Sequence, residues 1–264
     1  MIGIVGKGFV GSAVAAAYRQ EDVKFLDPKY EGSVQQLQDL LDCEAIFICL
    51  PTPANFDGSC DYSLVDAALS ALLKFKYNGL VICKSTVPHF VYEEYSLYGM
   101  NIVFVPEFLR AATAVDDYLN AEYFIVGANR PDLVPMVQHV CEDLVEHYRP
   151  ISFRHVTIRE ACLVKYFENS FLATKVSLMN EFRDLTVTLH ANWDVVISAL
   201  TLDPRICPDH TQVPGPDGKF GWGGHCFPKD TSALLDLAAD NDVELLTLKS
   251  AVESNKKYRG KNEN

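Results

Sequence analysis

Apolar runs recur along the first half of the chain at 1–5, 23–26, 45–50, 79–83, 101–105 and 123–127. Several are continuous rather than alternating, as expected for strands buried on both faces of a parallel sheet. Between them, stretches near 9–20, 33–42, 62–75 and 131–147 carry helix-like patterns. Strand following helix in this way predicts an α/β, doubly wound parallel domain over residues 1–153. From about 156 the pattern changes. Residues 156–190 contain neither Gly nor Pro, and Leu163, Phe167, Phe171, Leu172, Val176 and Met179 fall at helical spacing. One unusually long helix is predicted there, within an all-α domain over residues 154–264. Residues 203–230 are rich in Pro and Gly and predict an ordered loop. A shorter helix is predicted over 231–256, followed by a polar, fraying tail from Lys256 to Asn264. No internal repeat or low-complexity segment stands out.

Composition narrows the partners. The 264 residues are 48% hydrophobic and 22% charged, with a net charge of −12. No basic block is present, which argues against nucleic acid. No apolar run approaches the roughly 18 residues that span a bilayer, so no membrane partner is expected. The N-terminal Met-Ile-Gly-Ile-Val-Gly enters a strand without a basic segment, so no export signal is expected. A cytoplasmic location with reduced thiols follows as the default. None of the eight cysteines forms a CxxC pair, and no metal is expected. Cys49 and Cys83 sit in apolar runs and read as core thiols. An acidic protein can still hold an anion through placed cations, the candidates being Lys84, Arg110, Lys165, Arg205 and Lys229.

Three constellations carry chemistry. Gly6-Lys7-Gly8-Phe9-Val10-Gly11 follows a predicted strand and opens a predicted helix. In that context the glycines make a tight turn, let a pyrophosphate approach the backbone, and permit close helix–strand packing. The helix N-terminus adds N–H donors and a positive dipole end. Asp27 ends the next strand, 19 residues after Gly8, where a carboxylate binds ribose hydroxyls and repels a 2′-phosphate. The motif therefore predicts a Rossmann domain that takes NAD. The second constellation is Gly221-Trp222-Gly223-Gly224-His225-Cys226-Phe227-Pro228-Lys229-Asp230. A lone cysteine is ordinarily a small buried hydrophobe. Cys226 lies instead among glycines, which admit a substrate, with Lys229 and a helix start after Pro228 placed to favour its thiolate. Asp230 is close enough to act as a base on water. Third, Lys165 and Asn169 stand four apart on the long helix, one turn apart on one face. Such a pair is commonly a solvated face, yet its neighbours Tyr166, Phe167, Phe171 and Leu172 are apolar. Lys can stabilise an alkoxide and Asn can fix a hydroxyl or a water. The predicted strand ends also carry Leu50-Pro51-Thr52-Pro53, Ser85-Thr86-Val87-Pro88 and Pro106-Glu107-Phe108-Leu109-Arg110, where open α/β sheets bind ligands. Turn chemistry alone would also account for them.

Together these pieces resemble the nucleotide-sugar dehydrogenases, the family of UDP-glucose 6-dehydrogenase and GDP-mannose 6-dehydrogenase. The resemblance runs from Met1 to about Tyr258, and Gly221–Asp230 is its most specific part. It implies oxidation of a sugar C6 alcohol to a carboxylate, UDP-glucose to UDP-glucuronate above all, in two hydride transfers to NAD. Cys226 would form a thiohemiacetal and then a thioester. Lys165 would stabilise the oxyanion with Asn169 assisting, and Asp230 would activate water, with Glu107 a second candidate base and Thr86 near the reacting centre. Gly6, Gly8, Phe9, Val10, Gly11, Asp27, Lys29, Pro51, Thr52, Ser85, Thr86 and Lys229 would contact the cofactor. Glu107, Phe108, Leu109, Arg110, Lys165, Asn169, Arg205 and Gly223 would contact the substrate, Arg205 reaching into a partner subunit. The long helix at 156–190 would form a homodimer. Two features depart from the family. Its C-terminal nucleotide-binding domain has no counterpart, which implies a short form, and Ala111 replaces a second carboxylate after Arg110. A single two-electron dehydrogenase of the 3-hydroxyacid or 6-phosphogluconate type, and a non-catalytic NAD-binding partner of a full-length enzyme, are the alternatives. The first of these gives Cys226 no job.

Overall fold

The computed structural model describes residues 1–55, 58–141 and 151–260. The chain divides into two compact units, Met1–Pro53 with Cys60–Lys165, and Ala54–Ser59 with Tyr166–Asn264.

The first unit is built on a seven-stranded sheet in the order β2-β1-β3-β4-β5-β6-β7. Its strands are β1 (Ile2–Val5), β2 (Val23–Leu26), β3 (Ala45–Ile48), β4 (Leu80–Cys83), β5 (Ile102–Phe104), β6 (Tyr123–Gly127) and β7 (Ser152–Val156). The first five are parallel, β6 pairs antiparallel with β5 through Phe104 and Gly127, and β7 runs parallel to β6. Alternate residues of β3 show why the runs are continuously apolar. Ile46 and Ile48 join one core cluster, while Ala45 and Phe47 join another. Both faces are covered, so neither parity admits a polar residue. The seventh strand was not foreseen. Ser-Phe-Arg-His-Val alternates and lies at the sheet edge, half-exposed.

The helices of this unit are α1 (Phe9–Ala15), α2 (Ser63–Lys74), α3 (His89–Leu97), α4 (Ala114–Leu119) and α5 (Val134–Val140). The helix expected over 33–42 is instead one 3-10 turn, Leu37–Leu40. The Asp39 carboxylate accepts the N–H groups of Gln35 and Gln36, and the single turn already buries Leu40. Helices α3 and α4 were not foreseen. The stretch expected to be helical over 131–147 opens with a 3-10 turn at Pro131–Leu133 and continues as α5. Its part beyond 141 lies outside the described residues.

The long helix, α6, runs from Ile158 to Thr188. Thr157 and Glu160 cap its start reciprocally, the Glu160 carboxylate accepting the Thr157 N–H at 2.7 Å and the Thr157 hydroxyl accepting the Glu160 N–H at 3.2 Å. It ends where His190 turns left-handed at φ 56° and the Ala191 N–H reaches back to the Thr186 carbonyl.

The second unit adds α7 (Trp193–Leu200), α8 (Cys226–Asp240) and α9 (Leu246–Gly260). Helix α7 was not foreseen, although Asn192 caps it by accepting the N–H of Asp194. The expected loop over 203–230 ends earlier, at His225, because Pro228 falls in the first turn of α8, where its missing N–H costs nothing. The helix expected over 231–256 is two, parted at 241–245 where Asp242 takes φ 56°. The tail, expected to fray from Lys256, is helical to Gly260, and residues 261–264 lie outside the described residues. Tyr258 is 2% exposed and its hydroxyl bonds Asp184, which anchors the last turn.

Candidate functional site

The glycine-rich turn leaves β1 at the carboxyl end of the sheet. Strand order reverses there, β2 lying on one side of β1 and β3 on the other, which is where open α/β sheets bind ligands. Gly6 has φ +89°, and a Cβ on it would lie 2.6 Å from the Cys49 carbonyl oxygen. On Gly11, the first-turn residue of α1 that packs back on the loop, a Cβ would lie 2.0 Å from the Gly6 carbonyl oxygen. At Gly8 a Cβ would meet nothing within 4 Å, so the loop's middle is open to a ligand. Asp27 follows β2, and its carboxylate accepts the N–H of Lys7 at 2.8 Å and of Lys29 at 3.1 Å. The arrangement fits a dinucleotide: an open cradle at a helix N-terminus, with a part-buried carboxylate beside it. Phe9 is exposed, Val10 part-buried and Lys29 exposed. The Lys7 ammonium lies 3.6 Å from the centre of the Phe25 ring, a contact the sequence did not suggest.

A second group stands at the ends of β3, β4 and β5 in the same unit. Thr52, Ser85, Thr86, Glu107 and Lys165 are all buried, and Pro51 is exposed. The Ser85 hydroxyl donates to the Leu50 carbonyl at 2.7 Å, tying two of the strand-end turns together. The Thr86 carbonyl accepts the Cys60 thiol. Lys165 is 3% exposed; its ammonium donates to the Glu107 backbone carbonyl and lies 3.3 Å from Oε1 of the same residue. It also stands 5.1 Å from the centre of the Phe108 ring. The other carboxylate oxygen, Oε2, accepts the Leu109 N–H at 2.8 Å. Arg110 is not a free cation. Asp117 binds its guanidinium at two points and is held down to about 2 by it. Ala111 leaves no second carboxylate at its position.

The third group belongs to the second unit. Buried polar side chains pin the turn before α8. The Gly221 N–H donates to Asn180 at 3.0 Å, the Trp222 N–H to Asn255 at 2.7 Å, and the Trp222 indole N–H to Ser177 at 2.9 Å. Arg259 donates to the Trp222 carbonyl, and a Cβ on Gly223 would lie 2.5 Å from its guanidinium. Ser177 and Asn180 interrupt the apolar spacing of α6, and that was the available signal for this network. Cys226 is half-buried and is the first residue of α8, at the positive end of the helix dipole. Asp230 follows one turn later, 1% exposed. Both its oxygens are engaged, Oδ2 by the Asn169 amide and Oδ1 by the Lys229 ammonium. The i, i+4 spacings thus place Asn169 one turn from Lys165 and Asp230 one turn from Cys226. Arg205 is exposed and lies against Asp203, two residues before it.

Two other thiols are desolvated. Cys83 is fully buried, while Cys49 is only half-buried as a residue; desolvation pushes the Cys49 thiol up to about 12 and that of Cys83 well above its usual value. Among the described residues no cluster of His, Cys, Asp or Glu could hold a metal, and no helix is long and apolar enough to cross a membrane.

Comparison with known proteins gives a consistent answer. Residues 24–145 match the NAD-binding domain of the UDP-glucose/GDP-mannose dehydrogenase family, and residues 159–257 match its central domain. A UDP-glucose 6-dehydrogenase of Haloferax volcanii is 30% identical over 96% of this chain and 69% of its own length. One from Rickettsia felis is 29% identical over 97% of this chain and 64% of its own. The structure of a UDP-glucose dehydrogenase from Pyrobaculum islandicum superposes with a TM-score of 0.81 at 26% identity, covering 97% of this chain and 68% of that one. The chain thus spans about two thirds of the length of these relatives.

Proposed function

The chain belongs to the UDP-glucose/GDP-mannose dehydrogenase family, and we propose that it oxidises the C6 alcohol of a nucleotide sugar, UDP-glucose foremost, to the carboxylate. The observation that carries this reading is Cys226 at the head of α8 with the paired, buried Asp230 one turn on. NAD, when bound, accepts a hydride in each of the two oxidations. Gly6, Gly8 and Gly11 would hold it by backbone, and Asp27 would select its ribose.

Water accepts the alcohol O–H proton, Lys165 stabilises the negative charge then left on that oxygen, and departure of the hydride leaves the aldehyde. The Cys226 sulfur then adds to the aldehyde carbon, its proton going to the new hydroxyl, which makes a thiohemiacetal. Loss of a second hydride and the hydroxyl proton gives the thioester. Water attacks its carbonyl, the Cys226 sulfur leaves, and the sugar carboxylate is released with a proton. Asp230, fixed by Asn169 and Lys229, orients that water, with Glu107 the second candidate base. The exposed Phe171, Leu178, Phe182 and Leu185 form a stripe on α6, which a second copy of the chain would cover, giving a homodimer. Its many reduced thiols suit a reducing cytoplasm.

The test is to incubate the purified protein with NAD and a panel of UDP and GDP sugars and to count NADH per sugar consumed. Two NADH with UDP-glucose, and loss of full turnover in Cys226→Ala, are expected. One NADH per sugar, from a Cys226→Ala protein as active as the wild type, would overturn the proposal.

A further inference from the structure

One buried cation at the carboxyl end of the sheet has no part in this scheme. Lys84 follows β4 directly, and its backbone N–H donates to the Ile48 carbonyl at 2.9 Å. Its side chain is 3% exposed. The ammonium lies 5.4 and 5.5 Å from the ring centres of Tyr118 and Phe124, and 3.5 Å from the Pro106 carbonyl oxygen. Among the described residues no carboxylate comes within ion-pair distance of it. A buried ammonium with one long hydrogen bond and no salt bridge is a costly arrangement. A role in packing alone would be met by an apolar side chain.

Its place along the chain gives it a job. Lys84 reaches the carbonyl of Pro106, and Lys165 reaches the carbonyl and carboxylate of the next residue, Glu107. We propose that Lys84 is a positioning residue for the oxidation, fixing the Pro106–Glu107 segment and giving Glu107 a second cation, so that Lys165 is not neutralised by its own partner. Two ammonium groups and one carboxylate leave a single net positive charge for a substrate oxygen to meet. This rests on the reading of the chain as a dehydrogenase.

Lys84 has several ionisable neighbours. It is faced by Cys49 at the end of β3, Cys141 after α5, Tyr118 on α4, Glu107 and Lys165. Both thiols are pushed up to about 12 by burial, and the Tyr118 phenol is pushed up as well, so all three stay neutral. Burial lowers Lys84 itself to about 8. Above that pH the trio loses its net charge.

The experiment compares wild type, Lys84→Met and Lys84→Arg across the pH range, reading kcat, KM for NAD, and the carboxyl carbon-13 resonance of Glu107, assigned from Glu107→Gln. In the wild type, kcat is expected to fall above a midpoint near 8, and the Glu107 resonance to step at the same pH. In Lys84→Met both features vanish and kcat drops on the order of tenfold, while KM for NAD stays within about threefold and circular dichroism shows a folded protein. Lys84→Arg, charged throughout, retains more activity than Lys84→Met and shows no step. Wild-type kcat and an unchanged pH profile in Lys84→Met would overturn the inference, as would a wild-type Glu107 resonance without the step. If the wild type reduces no NAD with any sugar, the dehydrogenase reading fails separately, and the resonance alone decides whether Lys84 acts on Glu107.

Discussion

Replacing Lys84 with methionine removes a buried charge while nearly conserving side-chain volume, and the structure fixes the sign and size of the change in stability. Burial takes the ammonium from its usual 10.5 to about 8. At roughly 1.4 kcal/mol per pH unit, that shift is worth about 3 kcal/mol. Lys84 is 3% exposed, so solvent screening takes little from this figure. Because the folded state releases the proton near 8 and the unfolded state keeps it to 10.5, the unfolded chain holds the extra proton in between. Stability therefore rises with pH through that window, and the penalty is fully present below it. Methionine carries no such penalty at any pH. Its loss of the 3.5 Å bond to Pro106 costs about 1 kcal/mol. Lys84→Met is then expected to be more stable than wild type at pH 7 by roughly 2 kcal/mol. Between pH 7.5 and 9.5 that advantage shrinks by about 2 kcal/mol. Urea unfolding at several pH values reads both quantities. Parallel stability curves for the two proteins would refute the reasoning, because they would mean that Lys84 takes up its proton alike in the folded and unfolded chain. A variant that is more stable and less active identifies a residue kept for function rather than for the fold.

Other consequences are simpler to measure. Gly11→Ala places a methyl 2.0 Å from the Gly6 carbonyl oxygen; the turn must open, and calorimetric NAD affinity should fall by at least tenfold with about 2 kcal/mol of lost stability, whereas wild-type affinity would contradict the glycine assignment. Asp230→Asn leaves the Lys229 ammonium beside a buried amide; thioester hydrolysis should slow enough for acid-quenched mass spectrometry to trap a sugar adduct on Cys226, at a stability cost of roughly 3 kcal/mol, and an adduct-free protein with normal turnover counts against the base. Phe171→Glu combined with Leu185→Glu charges the exposed stripe of α6; light scattering should find a monomer, and an unchanged dimer would place the interface elsewhere.

Much of this was legible in the order of residues because it rests on local chemistry. The glycine turn, Asp27 and the long helix follow from strand context, backbone sterics and the absence of Gly and Pro over 156–190. What escaped was decided by tertiary contact. Leu37, Leu40 and Leu41 have helical spacing, yet one 3-10 turn buries Leu40 and half-buries the other two, and the Asp39 carboxylate closes it. Strand β7 has the alternation of an edge strand, a weak signal next to the continuous runs of the interior. The single helix expected over 231–256 has no Pro or Gly to break it; the break comes from a left-handed Asp242 that only the folded backbone reveals.

The same distinction separates the candidate site residues from what they do. Lys84 and Lys165 are both lysines in apolar surroundings, and spacing singles out Lys165 because Asn169 stands one turn away. Only the structure shows that Lys165 already has a carboxylate partner in Glu107, and that Lys84 has none among the described residues. A cation that must meet a developing oxyanion gains little from a partner that neutralises it, so a lone Lys165–Glu107 pair would be a poor oxyanion site. Adding Lys84 to the same two-residue segment restores the missing charge and confines it below about pH 8. Glu107 then serves to hold Lys165 in place, and its use as a base would require breaking the contact that orients the oxyanion donor. On this electrostatic ground Asp230, already paired with Lys229 and Asn169, is the better candidate for activating water.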